Sequence, residues 1–245
     1  MAEPLEWIEP DWPAPRRIGT LVSTRRGGTS KGSFASLNLG TRVGDDSAAV
    51  AENRARVRAL LPAEPVWLRQ VHGLDIVDAA RTEADATADA AFTRVPGVVC
   101  AIQVADCLPV LFCDRDGTTV ASAHAGWRGL AAGVLERTVA AFEAPPDTLL
   151  AWLGPAIGPT AFEVGMDVFE AFTTTDPRAA DAFRPLHTGK WLADLYALAR
   201  RRLARAGVHA VYGGGMCTVS DAARFFSYRR DRVTGRQAAF IWLRA

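Results

Sequence analysis

The sequence predicts an α+β fold, in which a single compact domain combines mixed β-sheets with flanking helices. The chain has 245 residues, of which 49% are hydrophobic and 22% are charged, so it is long enough to bury a substantial core. Strand-like and helical segments follow one another without regular alternation, which argues against a doubly wound parallel sheet. Because no repeat or long linker divides the chain, residues 1–245 are predicted to form one domain, with residues 1–16 as an N-terminal extension.

The first elements are predicted from apolar runs, turn residues and a capping signal. Residues 17–24 have the apolar character of a strand. Residues 24–40 are rich in Gly, Ser and Asn, which predicts a long loop. Asp46 or Ser47 can cap a helix, and Pro62 ends it.

The middle of the chain is predicted to contain most of the core strands. Residues 66–73, VWLRQVHG, alternate like a half-buried strand, whereas the Ala- and Asp-rich residues 82–91 are expected to form a loop or a helix. Residues 98–114 predict two apolar strands that are broken at 105–107. Residues 120–125 predict a further strand.

The last third of the chain is predicted to add two helices and two strands. Residues 130–142 predict a helix, and residues 150–159 predict a strand that enters a Gly-Pro loop. Residues 191–207 have the spacing of an amphipathic helix that ends at its terminal glycine. Residues 236–243 predict the closing strand.

Charge and hydropathy limit the classes of partner. The net charge is +1, which gives no sign of a nucleic-acid or membrane-surface binder. No apolar run reaches the ~20 residues that a membrane span needs, and the N-terminus has no apolar signal segment. We therefore expect a cytoplasmic protein. Its oligomeric state is expected to be a monomer or a homodimer, and these observations do not distinguish the two.

Three residues form a candidate metal-binding set. His72 and His124 end predicted strands just before glycine-containing turns, and Cys107 lies at the break between two strands. Two imidazoles and one thiolate are a ligand set that suits zinc with an open fourth position, and also copper. The separations of 35 and 17 residues leave two alternatives open. One is a pair of structural histidines with an inert cysteine, and the other is a Cys107 nucleophile with His124 as its base.

The chain resembles the YfiH-type proteins, also called laccase-domain or multicopper polyphenol oxidase family proteins, which are described as purine nucleoside phosphorylases. The resemblance rests on motifs that cover nearly the whole chain in order: TRRGGTSKGSFASLNLGTRVGDD, NR at 53–54, WLRQVHG, ADCLPVLFCD, HAGWRG, LGPAIGPTAFEVG, CT at 217–218, and FFSYRRD with TGRQAAFIWL.

This resemblance implies a YfiH-like fold and a zinc ion held by His72, Cys107 and His124. It implies phosphorolysis of adenosine, inosine, guanosine and methylthioadenosine, together with deamination of adenosine. It also implies that residues Gly126 to Gly129 form the turn that clears space beside His124. The chain has four histidines, too few for the trinuclear copper cluster of a laccase in addition to a His₂Cys copper site. A copper polyphenol oxidase and a Cys–His amide hydrolase acting on cell-wall precursors remain as alternatives.

Phosphorolysis also requires groups that hold phosphate, and deamination requires an acid for the leaving group. The candidate substrate-binding residues are Asn38, Arg54 and Arg128, although Arg54 could be a surface residue and Arg128 could simply stack on its tryptophan neighbour. Asp106 is the carboxylate nearest to Cys107 in sequence. It could serve the leaving group, orient a histidine or cap a turn.

Overall fold

A computed structural model describes residues 4–245 of the protein. These residues form three β-sheets and six α-helices. The strands, in chain order, are β1 (Trp7–Ile8), β2 (Ile18–Ser23), β3 (Pro65–Val66), β4 (Ile76–Asp78), β5 (Ala90–Thr93), β6 (Val99–Val104), β7 (Leu108–Asp114), β8 (Val120–Ala125), β9 (Leu149–Leu153), β10 (Glu163–Val164), β11 (Phe183–His187), β12 (Lys190–Ala193), β13 (Ala210–Gly213) and β14 (Gln237–Leu243). The helices are α1 (Ser47–Arg58), α2 (Trp127–Ala132), α3 (Val134–Ala140), α4 (Met166–Thr173), α5 (Leu195–Arg205) and α6 (Tyr228–Asp231). The predicted α+β class is confirmed.

Both large sheets are mixed. The five-stranded sheet has the order β1-β2-β14-β6-β3, and only its β3–β6 pair is parallel. The six-stranded sheet has the order β13-β9-β7-β8-β5-β4, with parallel pairs at both edges. A small antiparallel sheet has the order β10-β12-β11.

The two large sheets share one apolar core. Ile102 and Ile241 of the five-stranded sheet pack in the same buried cluster as Leu111 and Trp152 of the six-stranded sheet. Helices α2, α3 and α5 cover the other face of the six-stranded sheet, and α1 contributes Val57 to the cluster on the outer face of the five-stranded sheet. This layering buries apolar surface on both faces of each sheet, which stabilises the fold.

Two connections that cross between the large sheets carry most of the candidate site. Residues 67–75 lead from β3, in the five-stranded sheet, to β4, in the six-stranded sheet. Residues 105–107 make the same crossing from β6 to β7. Since Leu108 pairs with Ala125 and Pro109 pairs with His124, the second crossing ends beside the C-terminal end of β8.

The expected strand at 66–73 is largely wrong, because only its first residue, Val66, belongs to a strand. The peptide N–H groups of Val71, His72 and Gly73 donate to the carboxylate of Asp89, in place of a neighbouring strand. The period-two pattern of this segment therefore reflects partial burial of a loop, which sequence periodicity cannot distinguish from a half-buried strand.

The helix expected over residues 130–142 is interrupted. It begins earlier, at Trp127, and is divided into α2 and α3 at Gly133, whose φ of 107° lies in the left-handed region. A residue without a Cβ adopts this conformation readily, and it ends the hydrogen-bonding pattern of the first helix.

The helix expected over residues 191–207 begins later than predicted. Residues 190–193 form β12, and the Asp194 side chain then accepts a hydrogen bond from the peptide N–H of Ala197 and caps α5. The predicted strands at 17–24, 120–125 and 236–243 are confirmed within a residue at each end. None of the helices within residues 4–245 has the length and apolar character that crossing a membrane requires.

Candidate metal centre

The fold brings His72, Cys107 and His124 together. Their ligand atoms all lie within 4.8 Å of one another, and the Cys107 Sγ atom is 3.6 Å from His72 Nε2. His72 comes from the first crossing, Cys107 from the second, and His124 from strand β8. His72 is exposed, Cys107 is half-buried and His124 is buried, so the group lies at the boundary between core and solvent.

Asp89 fixes both histidine-bearing segments. Its Oδ1 atom accepts the peptide N–H of His72 at 2.9 Å and lies 2.8 Å from His124 Nδ1. Its Oδ2 atom accepts the N–H groups of Val71 and Gly73 at 3.1 and 2.6 Å. These bonds hold His72 in a left-handed conformation, with φ of 62°, which a residue with a Cβ adopts only when its surroundings impose it.

The charge state of Asp89 follows from these contacts. Complete burial favours a neutral carboxyl group, but the hydrogen bonds from His124 and from the peptide N–H groups of Gly73 and Val71 outweigh it and lower the pKa of Asp89 to about 2. The carboxylate is therefore ionised at neutral pH, and it accepts a hydrogen bond from Nδ1–H of His124. Because Nδ1 is held by Asp89, Nε2 is the ring atom that would bind a metal, with loss of its proton.

The thiol of Cys107 is tuned toward its anionic form. Burial raises the pKa of this thiol, but the charge and hydrogen bond of His124, together with His72, outweigh burial and lower the pKa to about 6. The thiolate is the form that binds a metal or attacks an electrophile. In contrast, burial raises the pKa of the thiols of Cys100 and Cys113, which lie in the core as expected.

Gly126 leaves space for the three ligands. A Cβ at this position would lie 2.6 Å from His72 Cδ2 and 3.0 Å from Cys107 Sγ, closer than side-chain atoms normally approach. Any larger residue would displace at least one ligand. The glycine that follows His124 in the sequence is therefore required by the packing of the ligand set.

The donor set fits a zinc ion. Two imidazole nitrogens and one thiolate match the protein ligands of catalytic zinc sites, in which a fourth position stays open. The spacing of the ligand atoms, all within 4.8 Å, allows one ion to contact all three after small side-chain adjustments. The hydrogen bond from His124 to Asp89 supplies the outer support that metal-binding histidines usually have.

The candidate centre opens into a cavity of about 540 Å³. This volume is within the range of pockets that bind small molecules. The cavity wall combines the three candidate ligands with aromatic, cationic and amide side chains. The residues of these three classes are Trp127, Phe162 and Tyr228; Arg42, Arg128, Arg229 and Arg236; and Gln70 and Gln103.

Of the predicted substrate-binding residues, Arg128 lines this cavity, whereas Asn38 and Arg54 do not. The Arg128 guanidinium stacks over Trp127, 4.3 Å from the ring centroid. Asn38 is fully buried, and its amide oxygen accepts the peptide N–H groups of Gly40 and Arg236 at 2.9 and 2.8 Å. Asn38 therefore does not line the cavity but holds the backbone of two residues that do, Gly40 and Arg236.

Arg54 lies behind the wall of the large cavity. Its guanidinium packs over Trp67, 4.0 Å from the ring centroid, and its Nε–H donates to the carbonyl of Leu39 at 3.0 Å. The helix that carries Arg54 covers the outer face of the five-stranded sheet, which explains why the side chain is directed to this tryptophan.

Asp106 lines the cavity but does not hold a histidine. Its Oδ1 atom accepts the hydroxyl of Thr218 and its Oδ2 atom accepts the peptide N–H of Arg229, both at 2.6 Å. The carboxylate hydrogen-bonded to His124 belongs to Asp89 instead. Asp106 therefore connects the ligand-bearing crossing to the segment around α6.

Sequence reasoning did not identify Asp89, Arg236 or the glutamine pair. Asp89 lies in an Ala- and Asp-rich segment with several carboxylates, and no local signal distinguishes it from the others. The Gln70 amide donates to the carbonyl of Gln103 and accepts the N–H of the same residue. Only the tertiary fold reveals these contacts, because the partners are 33 residues apart.

Comparisons with known proteins identify the family of this chain. Residues 19–244 match the family model described as multi-copper polyphenol oxidoreductase laccase. A Pseudomonas aeruginosa protein named purine nucleoside phosphorylase is 56% identical over 97% of this chain and 98% of its own length. The Escherichia coli protein named purine nucleoside phosphorylase YfiH is 55% identical over 96% and 98%.

Solved structures show the same fold. The crystal structure of a Neisseria meningitidis protein has a TM-score of 0.95 and 54% identity, and the match covers 98% of this chain and 99% of that one. The crystal structure of YlmD from Geobacillus stearothermophilus has a TM-score of 0.91 and 34% identity, with coverage of 99% and 100%. Because the family model and these relatives span nearly the whole chain, the protein belongs to the multicopper polyphenol oxidoreductase laccase family, which includes the YfiH-type proteins.

Proposed function

We propose that this protein is a zinc-dependent purine nucleoside phosphorylase that acts on adenosine, inosine, guanosine and methylthioadenosine and also deaminates adenosine. The observation that carries the proposal is the position of the His72–Cys107–His124 group in the wall of a cavity that contains both aromatic and cationic side chains. Relatives that are 46–56% identical to this chain are named purine nucleoside phosphorylases, which supports the same class of substrate.

His72, Cys107 and His124 would hold the zinc ion, with Asp89 behind His124. A zinc ion there would supply Lewis-acid chemistry. The donor set can also accept copper, so metal identity is part of the test below.

The cavity wall offers surfaces for both parts of a nucleoside reaction. Trp127, Phe162 and Tyr228 present aromatic faces on which a purine can stack. Arg128 adds positive charge beside the Trp127 ring, where it would attract phosphate or the ribose hydroxyls. Asn38 and Arg54 would act indirectly, because they hold the backbone of the 39–40 segment and, for Asn38, that of Arg236.

Phosphorolysis breaks the bond between C1′ and the purine nitrogen and forms a bond between C1′ and a phosphate oxygen. The proton that phosphate gives up ends on the departing purine. Among the described residues that line the cavity, Asp106 is the one with a carboxylate. We assign to Asp106 the transfer of this proton, and in deamination the transfer of a proton to departing ammonia.

Oxidase chemistry is the second candidate, since a His₂Cys group is also the ligand set of electron-transfer copper sites. Within residues 4–245, His72, Cys107 and His124 are the group of His, Cys, Asp and Glu residues that is arranged to bind a metal. His187 and His209 do not belong to it. A laccase couples such a site to a trinuclear cluster, for which this chain, with four histidines, has too few ligands.

The test is product analysis with metal-quantified protein. Adenosine is incubated with and without phosphate, and the products are separated by chromatography. The proposal predicts adenine and ribose 1-phosphate only with phosphate, inosine in both cases, and loss of all turnover after chelation with recovery on adding zinc. Turnover that survives chelation but stops on thiol alkylation would favour the Cys107 hydrolase. Oxygen uptake with a phenol by copper-loaded protein, without nucleoside turnover, would favour the oxidase.

A further inference from the structure

The four arginines of the cavity differ in their burial and in the groups that hold them. Arg42 forms an ion pair with Asp85, and Arg128 is exposed and stacks on its neighbouring tryptophan. Arg229 donates through Nη1 to the carbonyl of Glu163. Arg229 and Arg236 are both partly buried, and neither forms an ion pair with a carboxylate among the described residues. Arg236 is the one whose peptide N–H is held by the fully buried Asn38.

The hydrogen bonds of Arg236 leave one edge of the guanidinium available. Nη1 donates to the carbonyls of Thr234 and Gly235 at 3.1 and 2.9 Å. Within residues 4–245, Nε and Nη2 of Arg236 have no acceptor. These two groups lie side by side on the same edge of the planar guanidinium, which is the arrangement that binds two oxygens of a phosphate.

Asn38 and Gly40 fix the position of Arg236 in the cavity wall. The Asn38 amide oxygen accepts the peptide N–H of Arg236 at 2.8 Å and that of Gly40 at 2.9 Å. A Cβ on Gly40 would lie 2.8 Å from Arg236 Cγ, so the absence of a side chain there makes room for the arginine stem. Its position is therefore imposed by a fully buried side chain and a close backbone approach.

Nearby negative groups compensate the charge of Arg236 only in part. Burial lowers the pKa of Arg236, while the charges of Cys107 and Asp106 act in the opposite direction. Neither of these groups forms an ion pair with Arg236, so an anion at the free edge would offset more of the cost of burying the guanidinium. The same cavity contains the candidate metal ligands, so an anion bound here would lie in the cavity where the nucleoside reacts.

We propose that the Nε–Nη2 edge of Arg236 binds inorganic phosphate, and that Asn38 is the residue that positions it. This inference rests on the proposed function, because it assigns the phosphate site of that reaction. It also distinguishes the two activities of the protein, since deamination consumes water and requires no phosphate.

The test compares Arg236→Gln and Arg236→Lys with the control Arg184→Gln, which changes an exposed arginine of β11 outside the cavity. Zinc content and far-UV circular dichroism are measured for each variant. We expect Arg236→Gln to raise the KM for phosphate by about tenfold or more, as for loss of a charged hydrogen-bonding group. The KM for adenosine and the rate of deamination should stay within about threefold, and Lys, which lacks the planar fork, should restore phosphate use only in part.

An unchanged phosphate KM in Arg236→Gln would overturn the assignment. A parallel loss of deamination and phosphorolysis would also overturn it, and would indicate that Arg236 stabilises the Cys107 thiolate instead. Calorimetric titration of the zinc-loaded proteins with inorganic phosphate separates this inference from the proposed function. Wild-type protein that binds phosphate through Arg236 without splitting adenosine would contradict only the function. Equal phosphate binding by wild type and Arg236→Gln would contradict only the assignment of Arg236. Asn38→Ala keeps the guanidinium but removes its support, so this variant should also bind phosphate more weakly than the wild type.

Discussion

A single oxygen of Asp89 connects the two histidines of the candidate centre: it accepts the peptide N–H of His72 at 2.9 Å and lies 2.8 Å from Nδ1 of His124. The histidines come from different parts of the chain, and this carboxylate determines the backbone of one and the ring orientation of the other. The arrangement of the ligands should therefore depend on Asp89 as much as on the ligands themselves.

Asp89→Asn should weaken zinc binding by about 10- to 100-fold. The amide oxygen can replace one carboxylate oxygen as an acceptor, for His124 or for the peptide N–H groups. The NH₂ group that replaces the other oxygen cannot accept a hydrogen bond, so one set of contacts is lost. Zinc affinity is measured by competition with a chromophoric chelator, and the visible spectrum of cobalt-substituted protein reports ligand geometry. The control is Asp75→Asn, which changes a nearby exposed carboxylate. Zinc affinity equal to that of the wild type would show that Asp89 has no role in the centre.

Cys107→Ser should reduce both bound zinc and nucleoside turnover, because a hydroxyl is a much poorer zinc ligand than a thiolate. Metal analysis of purified protein gives the zinc stoichiometry. Cys217→Ser is the matched control, since this half-buried cysteine does not line the large cavity. A Cys107→Ser protein that retains full zinc would remove Cys107 from the ligand set.

Gly126→Ala should disturb the centre while the sheets remain folded. The added methyl would lie 2.6 Å from His72 Cδ2, so this ring must move away from Cys107 and His124. We expect zinc affinity and activity to fall by at least about tenfold, the lower end of the range seen when a metal site loses a supporting contact. Gly129→Ala is the comparison, because its Cβ would come no closer than 3.3 Å to a neighbouring atom. Equal effects of the two substitutions would contradict the packing argument.

Asp176 predicts a pH dependence of stability far from the centre. It pairs with Arg201 and Arg205, and the hydrogen bond from Arg201 lowers the pKa of Asp176 to about 2. A carboxylate with a lowered folded-state pKa stabilises the protein above its unfolded-state pKa of about 4 and loses that effect as the pH falls toward 2. Asp176→Asn should therefore destabilise the protein near neutral pH.

Denaturant unfolding of wild type and Asp176→Asn at several pH values measures this effect. The difference in unfolding free energy should be constant above about pH 5 and should shrink between pH 4 and 2. Asp147→Asn, at an exposed position, provides the baseline. A difference that grows on acidification would have the wrong sign for this pair.

The sequence predicts the positions of the candidate metal ligands better than it predicts the hydrogen bonds that hold them. Apolar runs that end at His124 and break at Cys107 place both residues at strand ends, and the pairing of β7 with β8 then brings them together. The seven residues ending at Gly73 look like a strand because they are partly buried. Their hydrogen bonds to Asp89 depend on the folding of segments that are distant in sequence, so no periodicity indicates them.

Long-range contacts also explain why two of the predicted substrate-binding residues do not line the cavity. Arg54 and Asn38 have the chemistry to bind phosphate, but the fold directs them to Trp67 and to the backbone of Arg236. Arg236 lines the cavity because the last strand of the chain pairs with β6, whose end leads directly into the Cys107 crossing. Such long-range pairing determines which of many arginines faces the cavity, and local composition carries no information about it.

The two crossings between the large sheets also affect how the protein would be inactivated. His72 and Cys107 lie on segments that connect the sheets, whereas His124 belongs to the six-stranded sheet alone. An ion bound by all three residues would connect the two large sheets. Heat or denaturant that loosens the interface between the sheets would then separate the ligands at once, so release of the ion and loss of turnover should accompany opening of the sandwich, with no inactive, metal-loaded intermediate.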